Sequence, residues 1–131
     1  MEIENGAFEG CKSLKSISFS NSVMKIGNRA FAGCISLKSI SFPDFVNIEN
    51  EVFQGCISLK SISIPNSVTE IGEGAFKGCK SLKTIFIPDS VKWIGEGAFA
   101  GCISLKRARI PARFKDQCAA LGLNENQVEW Y

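Results

Sequence analysis

Residues 55–68 read GCISLKSISIPNSV, and the chain repeats nearly the same words at 33–46 (GCISLKSISFPDFV) and at 78–91 (GCKSLKTIFIPDSV). Working outward, Phe8, Phe31, Phe53, Phe76 and Phe99 recur at steps of 23, 22, 23 and 23 residues. Cys11, Cys34, Cys56, Cys79 and Cys102 keep the same steps, as do Leu14, Leu37, Leu59, Leu82 and Leu105. Ile17, Ile40, Ile62, Ile85 and Ala108 follow, then Phe19, Phe42, Ile64, Ile87 and Ile110. The short step reflects one residue missing between Val46 and Ile48. Five copies of a unit near 23 residues define a repeat protein, in which each unit buries its apolar face only against its neighbours.

Each unit divides in two. LKSISI ends in apolar–polar–apolar alternation, the pattern of a short strand with one buried face. Pro65 and its equivalents Pro43, Pro88 and Pro111 then remove a backbone donor and stop the strand. In SVTEIGEGAFKGC, Gly72 and Gly74 supply turns, and AFKGC is long enough for one helical turn. Glu73 and Glu96 precede that turn, where a helix N-terminus favours negative charge. The strands are expected to join in register as a parallel sheet.

The period, the L-x-x-I-x-I strand and the IGxxAFxGCxSLxxIxIPxSV wording resemble leucine-rich repeats of the BspA-like type. The resemblance spans residues 3 to about 111. It implies an α/β repeat solenoid, a right-handed coil with short parallel strands on a concave face. It also implies a protein–protein interaction module, of the kind found in bacterial surface adhesins, and a cell-surface or secreted location.

Both ends depart from the pattern. Ile3 aligns with Ile26, so the chain opens in mid-repeat with no strand expected before residue 14, and the 14–19 strand edge is left open. An open edge invites pairing. A longer parent protein, or self-association through this edge, would cover it. Residues 1–111 therefore form the repeat region and 112–131 a C-terminal cap. In the cap, Phe114, Cys118 and Leu121 fall at helical spacing and Gly122 reads as a helix stop, which predicts a capping helix with Val128 and Trp130 packing back on it.

The chemistry-bearing residues are few. The 131 residues include no His, and the net charge of +2 is too small to argue for nucleic acid. No apolar run reaches the ~20 residues that cross a bilayer. The opening MEIENGAFEG lacks the basic flank and apolar stretch of a signal peptide. Five of six cysteines share one repeat position, so they are expected to stack as buried thiols; five in file cannot all pair. One file of thiols without His is a poor zinc set. GEGAFKG lacks the G-x-G-x-x-G spacing and any surrounding βαβ unit, so no cofactor is expected there. A nucleophile would lack its usual base, and the reading is non-enzymatic. The carboxylates Glu49, Glu51, Glu73 and Glu96 fit a solvated outer face.

Three rows are expected to face outward from the strands. Lys15, Lys38, Lys60, Lys83 and Lys106 form the first. Neighbouring charges ~5 Å apart in water repel by less than ~1 kcal/mol, so this row is tolerable as a solubilising surface. The second is Ser16, Ser39, Ser61, Thr84 and Arg107. The third, Ser18, Ser41, Ser63, Phe86 and Arg109, breaks its own rule. Exposed aromatics and arginines are the residues of binding hot spots, although drift in a degenerate last repeat produces the same pattern. The candidate partner-binding residues are Phe86, Arg107 and Arg109, supported by Lys83 and Lys106, with an acidic or mixed protein as partner. The alternative is a structural spacer or self-assembly segment. Trp93 replaces a polar repeat position away from the strands, where local packing is the simpler reading.

Overall fold

The computed structural model describes all residues 1–131. The chain is a parallel-strand solenoid of about six coils, held by three hydrogen-bonded rows. The first row is built from β2 (Ser16–Ser18) paired with β4 (Ser39–Ser41), and from β6 (Thr84–Phe86), β8 (Arg107–Ile110) and β9 (Val128–Trp130). All pairings are parallel and join equivalent repeat positions, as in Ile17 with Ile40 and Ile85 with Ala108. The second row joins β1 (Glu2–Ile3) to β3 (Lys25–Ile26) and β5 (Glu70–Ile71) to β7 (Trp93–Ile94), with Ile48 bridging between them. A strand thus precedes residue 14 after all. It is too short and too far from the L-x-x-I-x-I motif to show in the alternation.

The third row lies where AFKGC suggested a helical turn. Alternate N–H groups leave the turn for the next coil. Phe31 donates to Val52, Phe53 to Ala75 and Phe76 to Ala98, at 3.0, 2.9 and 2.8 Å. The groups between them close local turns, as Cys79 N–H does on Phe76 O. A helix would use every N–H internally, and Gly74 and Gly78, at φ +59 and +74, interrupt it further. The structure therefore contains no α-helix, and the α half of the expected fold label does not describe this chain.

The expected capping helix is also replaced. Residues Ala112–Gln117 form a 3-10 helix, Glu125–Gln127 another, and β9 adds a fifth strand to the first row. A 3-10 turn rises ~2.0 Å per residue against ~1.5 Å for an α-helix, which carries six residues further across the coil. Phe99 and Gly97 donate to Leu121 and Ala120, so the tail also continues the turn row. Phe114, Cys118 and Leu121 are buried as expected, and Val128 and Trp130 pack on the core.

The core holds 33 buried residues and no buried polar or charged side chain. Its spine is a file of rings, Phe8, Phe31, Phe53, Phe76 and Phe99, with centroids 5.2, 5.9, 5.6 and 5.7 Å apart. Phe19 and Phe42 meet that file edge-on, at 5.7 and 5.9 Å from Phe31 and Phe53. Gly72 has a packing reason beyond its turn. A Cβ there would lie 2.5 Å from the Asn50 nitrogen of the preceding coil. Alongside runs an asparagine ladder: Asn5, Asn28 and Asn50 each accept, through Oδ1, the backbone N–H of Asn28, Asn50 and Glu73 in the next coil.

The cysteines are all free. Cys34, Cys56, Cys79 and Cys102 each aim Sγ at a phenylalanine carbonyl of the preceding coil, 3.2–3.3 Å away. Burial pushes the Cys56 thiol up to about 12 and the Cys102 thiol to about 11, and raises Cys79 further still.

One seam interrupts the first row. Lys38, Lys83 and Lys106 each donate to the carbonyl of the lysine in the coil before, at 2.8, 2.9 and 3.0 Å, but Lys60 N–H has no such partner. Ser61–Ser63 touches the row only through the Ser63–Phe86 bridge. The coil leading into it is the one that lacks a residue between Val46 and Ile48.

Candidate functional site: an aromatic and arginine cluster on the strand face

The pleat decides which residues meet. In β6 and β8 the burial alternates, so Phe86, Arg107 and Arg109 point outward while Ile85, Ala108 and Ile110 point into the core. The register sets Arg109 beside Phe86, and Arg107 beside Thr84. β9 then adds Glu129 beside Arg109. Its carboxylate takes both arginines, Arg107 Nε at 3.0 Å and Arg109 Nε at 3.3 Å.

Tyr131, one residue past β9, reaches back across the face. Its ring stacks on Phe86 with centroids 5.4 Å apart and planes 15° from parallel. The Arg109 guanidinium lies 5.2 Å from the Tyr131 ring and 5.7 Å from Phe86, within cation–π range. Tyr131 Oη donates to Ile87 O at 2.5 Å. Burial raises the Tyr131 hydroxyl above its ordinary pKa, and the nearby Asp89 charge adds to this while Arg109 and Arg113 oppose it. Arg113 pairs with Asp89 at 2.7 Å.

Beside Phe86 opens a groove of about 370 Å³. Ile62, Ile64 and Ile85 form its floor, and Phe86, Arg107 and Arg109 one wall. The exposed hydroxyls of Ser61, Ser63 and Thr84 complete it. The groove runs across the third, fourth and fifth coils, on the side of Ser61–Ser63 that faces β6.

The structure thus brings Phe86, Arg107 and Arg109 together. Lys83 and Lys106 are exposed and precede the strands, outside the groove lining. Glu129 and Tyr131 belong to the same cluster, although neither was a sequence candidate. Their signal was the alternation V-E-W-Y, visible only once 128–130 is known to be a strand. Trp93 lies in β7, paired with Glu70 in the second row, well apart from the groove.

The model of the BspA type leucine rich repeat region matches residues 1–119 in six copies, one more than the five counted from the phenylalanine steps. The chain belongs to the BspA-type leucine-rich repeat family. Solved structures of similar chains agree. A leucine rich repeat protein of T. pallidum is 42% identical with a TM-score of 0.81, over 83% of this chain and 51% of that one. A leucine rich cell surface protein of Faecalibacterium prausnitzii is 44% identical with a TM-score of 0.80, over 82% of this chain and 28% of that one. A leucine-rich repeat protein of Bacteroides ovatus is 30% identical with a TM-score of 0.73, over 99% of this chain and 39% of that one. The BspA-type chain therefore spans about half or less of these proteins' own lengths. No curated protein matches it. No helix is long and apolar enough to cross a membrane.

Proposed function

We propose that this chain is a protein-recognition segment that contacts its partner through the outward face of the first strand row. The observation that carries the reading is the cluster of Phe86, Arg107 and Arg109, where the preceding outward positions of those rows, Ser16, Ser39, Ser61 and Thr84 and Ser18, Ser41 and Ser63, are all serine or threonine. A row of small hydroxyls is a neutral background. A ring, two guanidinium groups and an adjoining groove are the elements from which hot spots are made. The rigid stacking of coils presents them without an ordering penalty. Lys83 and Lys106 add positive field that steers an acidic or mixed partner. Similarity to a cell surface protein supports an adhesive role at a bacterial surface. The test is capture of cross-linked partners by wild type and by the Phe86→Ser, Arg107→Ser, Arg109→Ser triple variant. Equal capture by both would sink the strand-face site.

A second reading, assembly through the first coil, is favoured by one observation. β2 pairs with β4 on one side, and Phe8 of the same coil, stacked on Phe31, is 38% exposed. Light scattering over a concentration series tests it, since assembly gives a mass that rises with concentration.

A further inference from the structure

The tail of the chain shows what chemistry the cluster accepts. Glu129 and Tyr131 are two residues apart on an extended segment, so both project to one face. The carboxylate serves the two arginines, and the ring covers one side of Phe86. This arrangement leaves much of the cluster unused. Arg107 donates to Glu129 through Nε alone and Arg109 meets it only as an ion pair at 3.3 Å, so the terminal amino groups of both arginines have no hydrogen-bond acceptor in the chain. Exposed ion pairs of this kind hold loosely, at ~0–1 kcal/mol. Arg107 and Arg109 share the one carboxylate of Glu129. Phe86 presents its remaining surface to the groove, and the hydroxyls of Ser61, Ser63 and Thr84 stand ready as donors. The groove is thus apolar on its floor, rich in donors on its rim and without a carboxylate in its lining.

We infer that the groove seats an extended acidic segment of a protein partner that repeats the pattern of the tail, a carboxylate two residues from an aromatic ring. The partner carboxylate takes the free ends of the Arg107 and Arg109 forks. Its aromatic ring lies over Ile62 against the exposed face of Phe86. The inference rests on the strand-face reading above and names the chemistry of its partner.

The experiment is an NMR titration of the ¹⁵N-labelled chain with the probe peptide acetyl-Thr-Glu-Val-Tyr-Thr-amide. The signals followed are the arginine Nε–H groups and the Thr84 and Phe86 amides. Saturable shifts are expected at these groups. Replacing the probe's Glu by Gln, or its Tyr by Ala, is expected to weaken binding about tenfold or more. Arg107→Gln with Arg109→Gln removes the shifts, and Ser61→Asp, a surface change that places a carboxylate in the groove, does the same. Glu129→Gln frees both forks and tightens binding. Equal affinity for the Gln probe overturns the inference, as do shifts confined to other coils or indifference to Ser61→Asp. Sulfate at matched ionic strength that competes as well as the peptide reduces the site to a simple anion site and also overturns it. If the peptide fails while partner capture still depends on Phe86, the strand-face reading stands and only the partner chemistry falls.

Discussion

Tyr131 lies stacked on Phe86, 45 residues away in sequence, and closes the sheet face over Arg109. The last residue of the chain is therefore part of the same cluster as the fourth repeat. Tyr131→Ala removes this stack and the bond to Ile87 O. It is expected to lower stability by about 1–2 kcal/mol, read as a shift in the urea midpoint with unchanged slope. Tyr131→Phe should lose only the hydrogen-bond share of that amount.

Gly72→Ala tests the contact between coils. The new Cβ would press on the Asn50 nitrogen, a backbone atom that cannot step aside alone. A loss of about 1–3 kcal/mol is expected from thermal or denaturant unfolding. Gly10→Ala is the control for turn strain alone, since nothing lies within reach of a Cβ there and only its φ of +72 opposes the change.

The thiols give a labelling prediction. Under native conditions at mild alkaline pH, Cys11, which is half-exposed, should react first with a thiol reagent. Cys34, Cys56, Cys79 and Cys102 should react only as the solenoid opens, because each is buried and protonated. Mass spectrometry of the labelled peptides reads the order. Early, simultaneous labelling of Cys56 and Cys79 would contradict the buried ladder.

The same thiols set an alkaline limit on stability. Their folded pKa values are raised above the ordinary 9.0, Cys56 to about 12 and Cys102 to about 11. Between these values the unfolded chain has released protons that the folded chain retains. Stability should therefore be flat below about pH 8 and fall steadily from about pH 9 towards 12. The raised Tyr131 hydroxyl acts in the same direction. Denaturant midpoints measured across that range check the slope, and a midpoint that rises with pH would contradict it.

The seam predicts uneven protection. Lys60 N–H, without a partner, should exchange with solvent at least ~100-fold faster than Lys83 N–H, which bonds to Lys60 O at 2.9 Å. Amide exchange followed by NMR resolves the two.

Much of this was readable in the chain itself. A repeat with period 23 places equivalent residues at equivalent positions, so the files of Phe, Cys, Leu and Ile follow from spacing alone. So does the outward position of Phe86, Arg107 and Arg109, because apolar–polar alternation fixes the faces of a strand. The single helical turn that AFKGC has room for does not form, although the segment is locally compatible with either form. Only the neighbouring coil, by offering Ala98 O to Phe76 N–H, selects between them. The tail was misread for a related reason. Phe114, Cys118 and Leu121 have helical spacing, yet the final strand is held by β8, which propensity within the tail does not report.

The sequence by itself determined the coil, its core files and the row on which the candidate residues stand, since these are local patterns repeated until they become a structure. The tertiary structure alone decided that Glu129 bridges Arg107 and Arg109, that Tyr131 covers Phe86, and that the first row parts at Ser61–Ser63. Those features join residues from different coils, or leave them unjoined. Their energies depend on distances that only the stacked chain sets.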